Sequence, residues 1–180
     1  RRSLPGKSAA NPDFLHWSFD DQSSITVASG QGFDVAAFSG QLKSLNDGNG
    51  PIYENGQFGQ ALFFNGQDAF VETAFKGIGG NKPRTVAFWA KVPDDFTVNN
   101  GYGMVSWGLF QKGAAWQISS NPEEREGPLG RIRIGTMGAP VIGTTDLRDR
   151  RWHHIAVVMY GGNDSDTSTH ILLYVDGQLE

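Results

Sequence analysis

Short stretches of alternating or apolar residues, bounded by turn-forming residues, constrain this 180-residue chain more than any other feature. The strongest of them are Thr85–Val92, Trp152–Met159 and His170–Val175, which are rich in β-branched and aromatic side chains. No stretch keeps an apolar period of 3.6 residues beyond two turns, as an amphipathic helix would. Short strands separated by turn signals predict an all-β fold, namely a two-sheet antiparallel β-sandwich or jelly roll.

The same patterns predict the remaining strands, the turns and the core. Asn65-Gly66 and Asp176-Gly177 predict hairpin turns, because both residue types tolerate positive φ. At least one of Trp89 and Trp152 is expected to be more buried than Trp116. The further predicted strands are Phe14–Phe19, Gln60–Phe64, Ala69–Thr73, Gly103–Gly108, Ala115–Ser119 and Gly130–Thr136, with weaker ones at Ile25–Ala28 and Val35–Phe38. The predicted core comprises Trp17, Phe19, Leu62, Phe64, Val71, Val86, Phe88, Trp89, Ile132, Ile134, Ile155, Val157, Leu172 and Tyr174.

Charge and cysteine content exclude several classes of function. The net charge is −4, and the last three arginines of the densest basic stretch are interrupted by Asp146 and Asp149. That stretch comprises Arg131, Arg133, Arg148, Arg150 and Arg151. Nucleic acid is therefore not an expected partner, since phosphate binding requires clustered basic side chains. The absence of cysteine excludes disulfides, thiolate metal sites and thiol nucleophiles. No apolar run approaches the ~18 residues of a membrane helix, so no membrane insertion is expected.

Four motifs, in this order, resemble a known superfamily: Asn55–Asp68 (NGQFGQALFFNGQD), Arg84–Val92 (RTVAFWAKV), Arg151–Met159 (RWHHIAVVM) and Tyr174–Gln178 (YVDGQ). They are similar to the laminin G-like (LamG-like), concanavalin A-like lectin–glucanase jelly rolls. The resemblance covers residues 14–180, and residues 1–13 are interpreted as a leader or linker. It implies further strands after the Val-Asp-Gly turn, so the chain is expected to be a fragment that lacks the C-terminal strands of its domain.

Catalytic motifs are missing from the positions where such a fold would carry them. Glucanases of this superfamily place paired carboxylates on one strand, whereas the acidic cluster Glu123–Glu126 lies between prolines and a glycine and is predicted to be a loop. His153 and His154 are adjacent, so on a strand their side chains point to opposite faces and cannot share a metal ion. No Gly-x-Ser-x-Gly nucleophile elbow is present. The sequence therefore predicts a non-catalytic domain.

Calcium is the one cofactor that the sequence suggests. Calcium takes six to eight oxygen ligands, and domains of this superfamily often hold one ion at the rim of the sandwich. The expected ligands are Asp20, Asp21, Asn65 and Asp68, at the first strand end and the following hairpin. The alternative is that aspartate and asparagine simply favour turns. Further candidate oxygens are Asp34, Asp146 and Asp149.

Aromatic residues near predicted loops are candidates for sugar binding, because a ring face can stack on the C–H bonds of a pyranose. Tyr102, Phe110 and Trp116 are the predicted ligand-binding residues. The alternative is that these rings fill the interior of the sandwich. The expected function is a recognition module of an extracellular, cell-surface or periplasmic protein that binds a glycan or an extracellular protein through rim loops. A hydrolytic domain with its catalytic residues elsewhere and a purely structural spacer remain alternatives, and the oligomeric state is left open.

Overall fold

A computed structural model describes residues 13–32, 34–95, 103–109, 111, 114–135, 140–161 and 170–180. The chain divides into two compact units, Arg1–Lys76 and Gly77–Glu180. Strands dominate both units, and the regular helical segment of the described part is a 3₁₀ turn at Val35–Phe38, where the sequence predicted a weak strand. Within the described ranges, no helix has the length and hydrophobicity needed to cross a bilayer. The all-β, antiparallel fold class is confirmed.

The described part of the first unit consists of small antiparallel sheets, in which β1 pairs with β3, β4 lies between β2 and β7, and β5 pairs with β6. The predicted opening strand finds its partner locally: Trp17 pairs with Ala28, and its indole Nε1 donates to the carbonyl of Phe38 at 3.0 Å. The strands are β1 Phe14–Trp17, β2 Ile25–Thr26, β3 Ala28–Gln31, β4 Gly40–Ser44, β5 Ile52–Asn55, β6 Gln60–Phe63 and β7 Ala69–Glu72.

The predicted hairpin at Asn65-Gly66 is wrong, because the strands that flank it pair with other strands. β6 pairs with β5, whereas β7 pairs with β4. The side chain of Asn65 explains the difference: its Oδ1 accepts the backbone N–H groups of Gln67, Asp68 and Ala69 at 3.0–3.2 Å. In such an Asx-type loop a side chain accepts the backbone N–H groups, so the loop does not need β6 and β7 to pair with each other.

The second unit contains two four-stranded antiparallel sheets, in the orders β12-β11-β10-β9 and β15-β14-β13-β8. The Asp176-Gly177 hairpin between β14 and β15 is confirmed, with φ of 50° and 79° at the two turn residues, as a type I′ turn requires. The strands are β8 Arg84–Lys91, β9 Gly103–Gly108, β10 Ala115–Ser120, β11 Ile132–Gly135, β12 Val141–Ile142, β13 Trp152–Met159, β14 Ile171–Val175 and β15 Gln178–Leu179.

One apolar core joins the inner faces of these two sheets. Ile118, Ile132 and Ile134 contribute from one sheet, and Ile155 and Val157 contribute from the other. Each fully buried aliphatic side chain of this kind stabilises the unit by roughly 1.5–3 kcal/mol. The second unit is therefore a β-sandwich with its core between the sheets.

The predicted buried face of β14 requires correction. On β14, Ile171, Leu173 and Val175 are buried, whereas the predicted Leu172 and Tyr174 point to the opposite face. Every residue of this strand is apolar or aromatic, so alternation alone could not choose the face.

The tryptophans also differ from the prediction. Trp89 is 41% exposed and Trp116 only 3%, which reverses the expected order. Trp152 is partly exposed, so it is also less buried than Trp116. Phe64, predicted to lie in a core, is exposed as well. Trp116 lies inside β10 rather than near a loop, and its ring points inward with Ile118.

The buried Trp116 belongs to a stack of planar groups. The guanidinium of Arg84 lies 4.6 Å from the centre of the Trp116 ring, and Trp107 stacks on that ring with centroids 5.7 Å apart. Arg84 is 7% exposed and donates to the carbonyls of Ile78 and Gly80. Backbone carbonyls and an aromatic face thus take the place of a carboxylate around this buried cation.

Candidate functional site

The outward side of the β8–β13–β14 sheet carries a group of rings, here called the aromatic face and defined by Trp89, Trp152, His154 and Tyr174. Inward residues of β13 are buried, so the alternate residues Trp152 and His154 point outward. Trp89 is the cross-strand partner of His154, and their ring centroids are 5.2 Å apart. Tyr174 is on the outward side of β14.

Small and charged neighbours shape the aromatic face. Ala87 and Ala156 are direct cross-strand partners on the outward side, and Ala156 also pairs with Tyr174. Two alanines beside larger side chains leave a shallow floor between the rings. The Nζ of Lys91 lies 5.3 Å from the centre of the Trp152 ring, at the end of the strand. The face therefore offers ring surfaces, an imidazole and one ammonium group, a combination suited to a ligand with both C–H and hydroxyl groups.

A second feature is a cleft of about 650 Å³ beside the loop 121–130, here called the arginine cleft. Two of its arginines converge on one carboxylate. Arg148 donates to Asp146 through Nε at 2.9 Å and through Nη2 at 2.8 Å, and Arg131 Nη1 lies 2.5 Å from Asp146 Oδ2. The cleft is lined by Glu124, Gly127, Pro128, Leu129, Arg131, Asp146 and Arg148.

Hydrogen bonds donated by the two arginines fix the charge state of Asp146 and the positions of both guanidinium groups. The donors of Arg148, together with its backbone N–H, hold the pKa of Asp146 well below its usual range, so the carboxylate stays ionised. Arg131 also donates from Nε to the carbonyl of Thr144 and from Nη1 to that of Leu129, both at 3.0 Å. Both guanidinium groups are thus held in place by acceptors within the protein.

Asn121 builds the wall of the arginine cleft. Its side chain is fully buried, and its Nδ2 donates to the carbonyls of Glu123, Gly127 and Pro128 at 2.8–3.1 Å. Its own backbone carbonyl accepts the N–H of Gly130 at 3.1 Å. One amide side chain therefore replaces the sheet hydrogen bonds that this loop lacks.

A buried histidine fastens the β14–β15 turn to the start of β13. His153 is 5% exposed, with Nδ1 2.7 Å from Asp176 Oδ2 and Nε2 3.1 Å from Asp149 Oδ1. Burial lowers the pKa of His153, but the hydrogen bonds to Asp176 and Asp149 outweigh it and the net shift is upward. The hydrogen bonds of Asp149, led by the backbone N–H of Arg151, lower its pKa to about 2. Two carboxylates, one at each ring nitrogen of His153, make a structural clamp.

The expected opposite orientation of His153 and His154 is confirmed, since one lies in the clamp and the other on the aromatic face. Among the described residues, no group of three or more histidine, aspartate or glutamate side chains is arranged to hold a metal ion. Each ring nitrogen of His153 faces a different carboxylate, as a hydrogen-bonded clamp requires.

The four predicted calcium ligands accept or donate hydrogen bonds within the first unit. Asp20 Oδ1 accepts the N–H of Gln60, and Asp21 Oδ2 accepts that of Val27, both at 2.8 Å. Asn65 Nδ2 donates to Asp68 Oδ1 at 2.6 Å, and Ser44 Oγ donates to Asp68 Oδ2 at 2.7 Å. Asn65 and Asp68 thus stabilise a local turn, whereas Asp20 links two segments that are distant in the chain. Calcium binding by the four side chains stays a prediction.

The three predicted sugar-binding residues do not form an exposed group in the described structure. Tyr102 and Phe110 lie outside the described residues. Trp116 is 3% exposed and its ring is in contact with Arg84 and Trp107, so it is not accessible to a ligand. Trp89 was predicted to lie in the core, but its ring is exposed. Its position on β8, on the face opposite to Val86 and Phe88, was the signal that indicated this exposure.

The fold and these features define an antiparallel β-sandwich class of protein. No protein-family model and no curated protein matches the sequence. Among solved structures, the chain is similar to domain 4 of AbnA, a GH43 extracellular arabinanase from Geobacillus stearothermophilus, in complex with arabinotriose. The sequences are 19% identical, the match covers 92% of this chain and 71% of that chain, and the TM-score is 0.59. At this identity the likeness shows the fold alone.

Proposed function

We propose that this chain is a non-catalytic carbohydrate-recognition module of an exported or cell-surface protein, and that the aromatic face binds the glycan. The observation that carries the proposal is Trp89, a large ring of β8 that is left 41% exposed beside His154. Exposed aromatic groups of this kind mark interaction sites, because burying them against a ligand removes apolar surface from water. Sugar C–H bonds stack on such rings while the hydroxyls remain hydrated.

Two further observations support this proposal. The solved neighbour is described in complex with arabinotriose and belongs to an extracellular enzyme, which favours a glycan as ligand and an extracellular or periplasmic location here. The Trp-His-His and Val-Asp-Gly motifs favour the LamG-like branch of the jelly rolls. Tyr174 of the latter motif contributes to the aromatic face.

The absence of catalysis is part of the proposal and needs its own measurement. The sequence has no strand with the paired carboxylates of a glucanase. Incubation with arabinan, β-glucan and xylan, followed by an assay for new reducing ends, should give no release above a boiled control. Release that depends on the folded protein would support the hydrolytic alternative instead.

The binding test is a glycan array followed by calorimetry with the best ligand and with arabinotriose. Trp89→Ala should weaken binding by about tenfold or more, since aromatic anchors typically cost at least ~1–2 kcal/mol when truncated. Phe14→Ala is the matched control, because Phe14 is an exposed ring that also stacks on a histidine, His16, but lies in the first unit. Equal affinities of the two variants, or binding of an extracellular protein but of no glycan, would contradict the proposed function.

A further inference from the structure

Two cations of the arginine cleft converge on one carboxylate. Arg131 and Arg148 share Asp146, and Glu124, which also lines the cleft, forms no ion pair with either of them in the described part of the chain. Their side chains are only 22% and 27% exposed, so both cations are partly desolvated. A partly desolvated charge attracts a counter-ion more strongly than a fully hydrated one, because the local dielectric constant is lower.

Each of the two arginines also has N–H donors that are not used in the hydrogen bonds described above. Arg131 donates through Nε and Nη1, and Arg148 donates through Nε and Nη2. Arg131 Nη2 and Arg148 Nη1 have no hydrogen-bond acceptor among the described residues. Guanidinium groups bind carboxylates through paired N–H donors, and both of these groups line the same cleft.

The backbone is built to hold Arg148 in this position. Gly130 has φ of +77°, and a Cβ placed on it would come within 2.8 Å of Arg148 Cζ and nearer still to its Nε. The loop that carries Gly130 is held by the buried Asn121. The guanidinium therefore lies against bare backbone, and its position does not depend on a flexible neighbour.

We propose that the arginine cleft binds the carboxylate of an acidic sugar, a uronate residue of the glycan. This inference rests on the proposed function and adds a charge preference to it. Val92, the residue after β8, forms a bridge with Arg148, so the cleft adjoins the end of the strand that carries Trp89 and Lys91. A glycan long enough to extend from the aromatic face past this end of β8 would place a uronate carboxylate at the remaining N–H donors of the two arginines.

Glu124 provides a sharp test, because it lines the cleft and forms no ion pair with either cleft arginine in the described structure. Its carboxylate repels an anionic ligand. Glu124→Gln should therefore tighten binding of a uronate trisaccharide and leave binding of the neutral glycan unchanged. This substitution does not touch the Arg131–Asp146–Arg148 group, so a folding defect is not expected.

The experiment measures the affinity of trigalacturonate, of its methyl ester and of the best neutral glycan for the wild-type chain and for Glu124→Gln, Arg148→Gln and Arg150→Gln. We expect the acid to bind at least about tenfold more tightly than the ester, as a charge-assisted hydrogen bond would give. Arg148→Gln should abolish that difference. Arg150→Gln is the control, since Arg150 is an exposed arginine that pairs with Asp94 instead of lining the cleft.

The outcomes separate the two proposals. Equal binding of acid and ester by a chain that binds neutral glycans in a Trp89-dependent way would overturn the cleft assignment alone. Failure of every glycan to bind would overturn the proposed function, and the cleft assignment with it. An acidic peptide that competes better than trigalacturonate would overturn the assignment to a sugar. If Arg148→Gln loses its cooperative thermal transition, the acid–ester ratio of the wild-type chain and the Glu124→Gln result decide the question.

Discussion

Replacing Gly77 by alanine should destabilise the second unit, because Gly77 lies directly against the ring of Trp107. A Cβ at this position would lie 2.6 Å from Nε1 of Trp107 and nearer still to two carbon atoms of the ring. The ring cannot easily move away. Its Nε1 donates to the carbonyl of Ile78 at 3.2 Å, and its other neighbour is the Trp116 ring, which is itself covered by Arg84.

Two costs add up in this variant. The φ of Gly77 is +77°, a conformation that costs an alanine roughly 1 kcal/mol or more. Overpacking against a fixed ring adds about 1–3 kcal/mol. The free energy of unfolding of the second unit should therefore fall by about 3 kcal/mol, which lowers its Tm by roughly 12–24 °C for a domain of about 100 residues.

Two neighbouring glycines separate these costs, and thermal and urea unfolding followed by far-UV circular dichroism measures them. Gly80 has φ of +62° but open space where its Cβ would lie, so Gly80→Ala should cost only about 1 kcal/mol. Gly79 has open space and no such φ, so Gly79→Ala should be neutral or stabilising by ~0.4–1 kcal/mol. Equal Tm values for the Gly77→Ala and Gly80→Ala variants would refute the argument from the Trp107 contact.

Further predictions concern the clamp, the loop and the metal. The pKa of His153 is raised above its ordinary value of 6.5 in the folded state. Its contribution to stability is therefore present below pH 6.5 and is lost as the pH rises through the folded pKa. The pKa values of Asp149 and Asp176 are lowered, so these carboxylates contribute above pH 3.8 and lose their contribution as the pH falls through the folded pKa values. His153→Gln should therefore cost most between about pH 4 and 6.5, and urea unfolding that shows the same loss at pH 5 and pH 9 would contradict the clamp. Asn121→Ala should lower the free energy of unfolding by about 2–4 kcal/mol, because three carbonyls lose their donor; a Tm unchanged in calorimetry would exclude that role. If Asp20 and its neighbours bind calcium, excess EDTA should lower the Tm of the first unit, and calcium should restore it; an identical melt in EDTA would retire the calcium prediction.

The alternation of apolar and polar side chains predicted the fold class and the buried residues of β13. Trp152–Met159 alternates between apolar side chains on one face and mixed side chains on the other, so Ile155 and Val157 were placed in the core correctly. On Ile171–Val175 both faces are apolar, and the pattern contains no information about which one is buried. For Trp89, the size of the ring suggested burial, but its phase on β8 indicated exposure. The position of Trp89 in the alternation of β8 therefore predicted its exposure better than the size of its ring.

The arginine cleft could not be predicted from sequence because no local pattern pairs Arg131 with Asp146. β11 and β12 lie between them in the chain, and the antiparallel pairing of these strands brings the two residues together. The acidic stretch containing Glu124 was correctly interpreted as a loop. Nothing local indicates that the same loop is held by Asn121, since an asparagine before a proline is an ordinary turn signal.

The stack of Arg84, Trp116 and Trp107 also has an optical consequence. Two indoles 5.7 Å apart, with planes inclined by 14°, are close enough for their excited states to couple. Their near-ultraviolet circular dichroism should thus contain a signal that neither ring gives alone and that disappears as soon as the rings separate. The buried Trp116 should also emit at shorter wavelength than the exposed Trp89. The stacked indoles therefore give the chain its own spectroscopic label in the core, by which loss of packing can be followed without a dye.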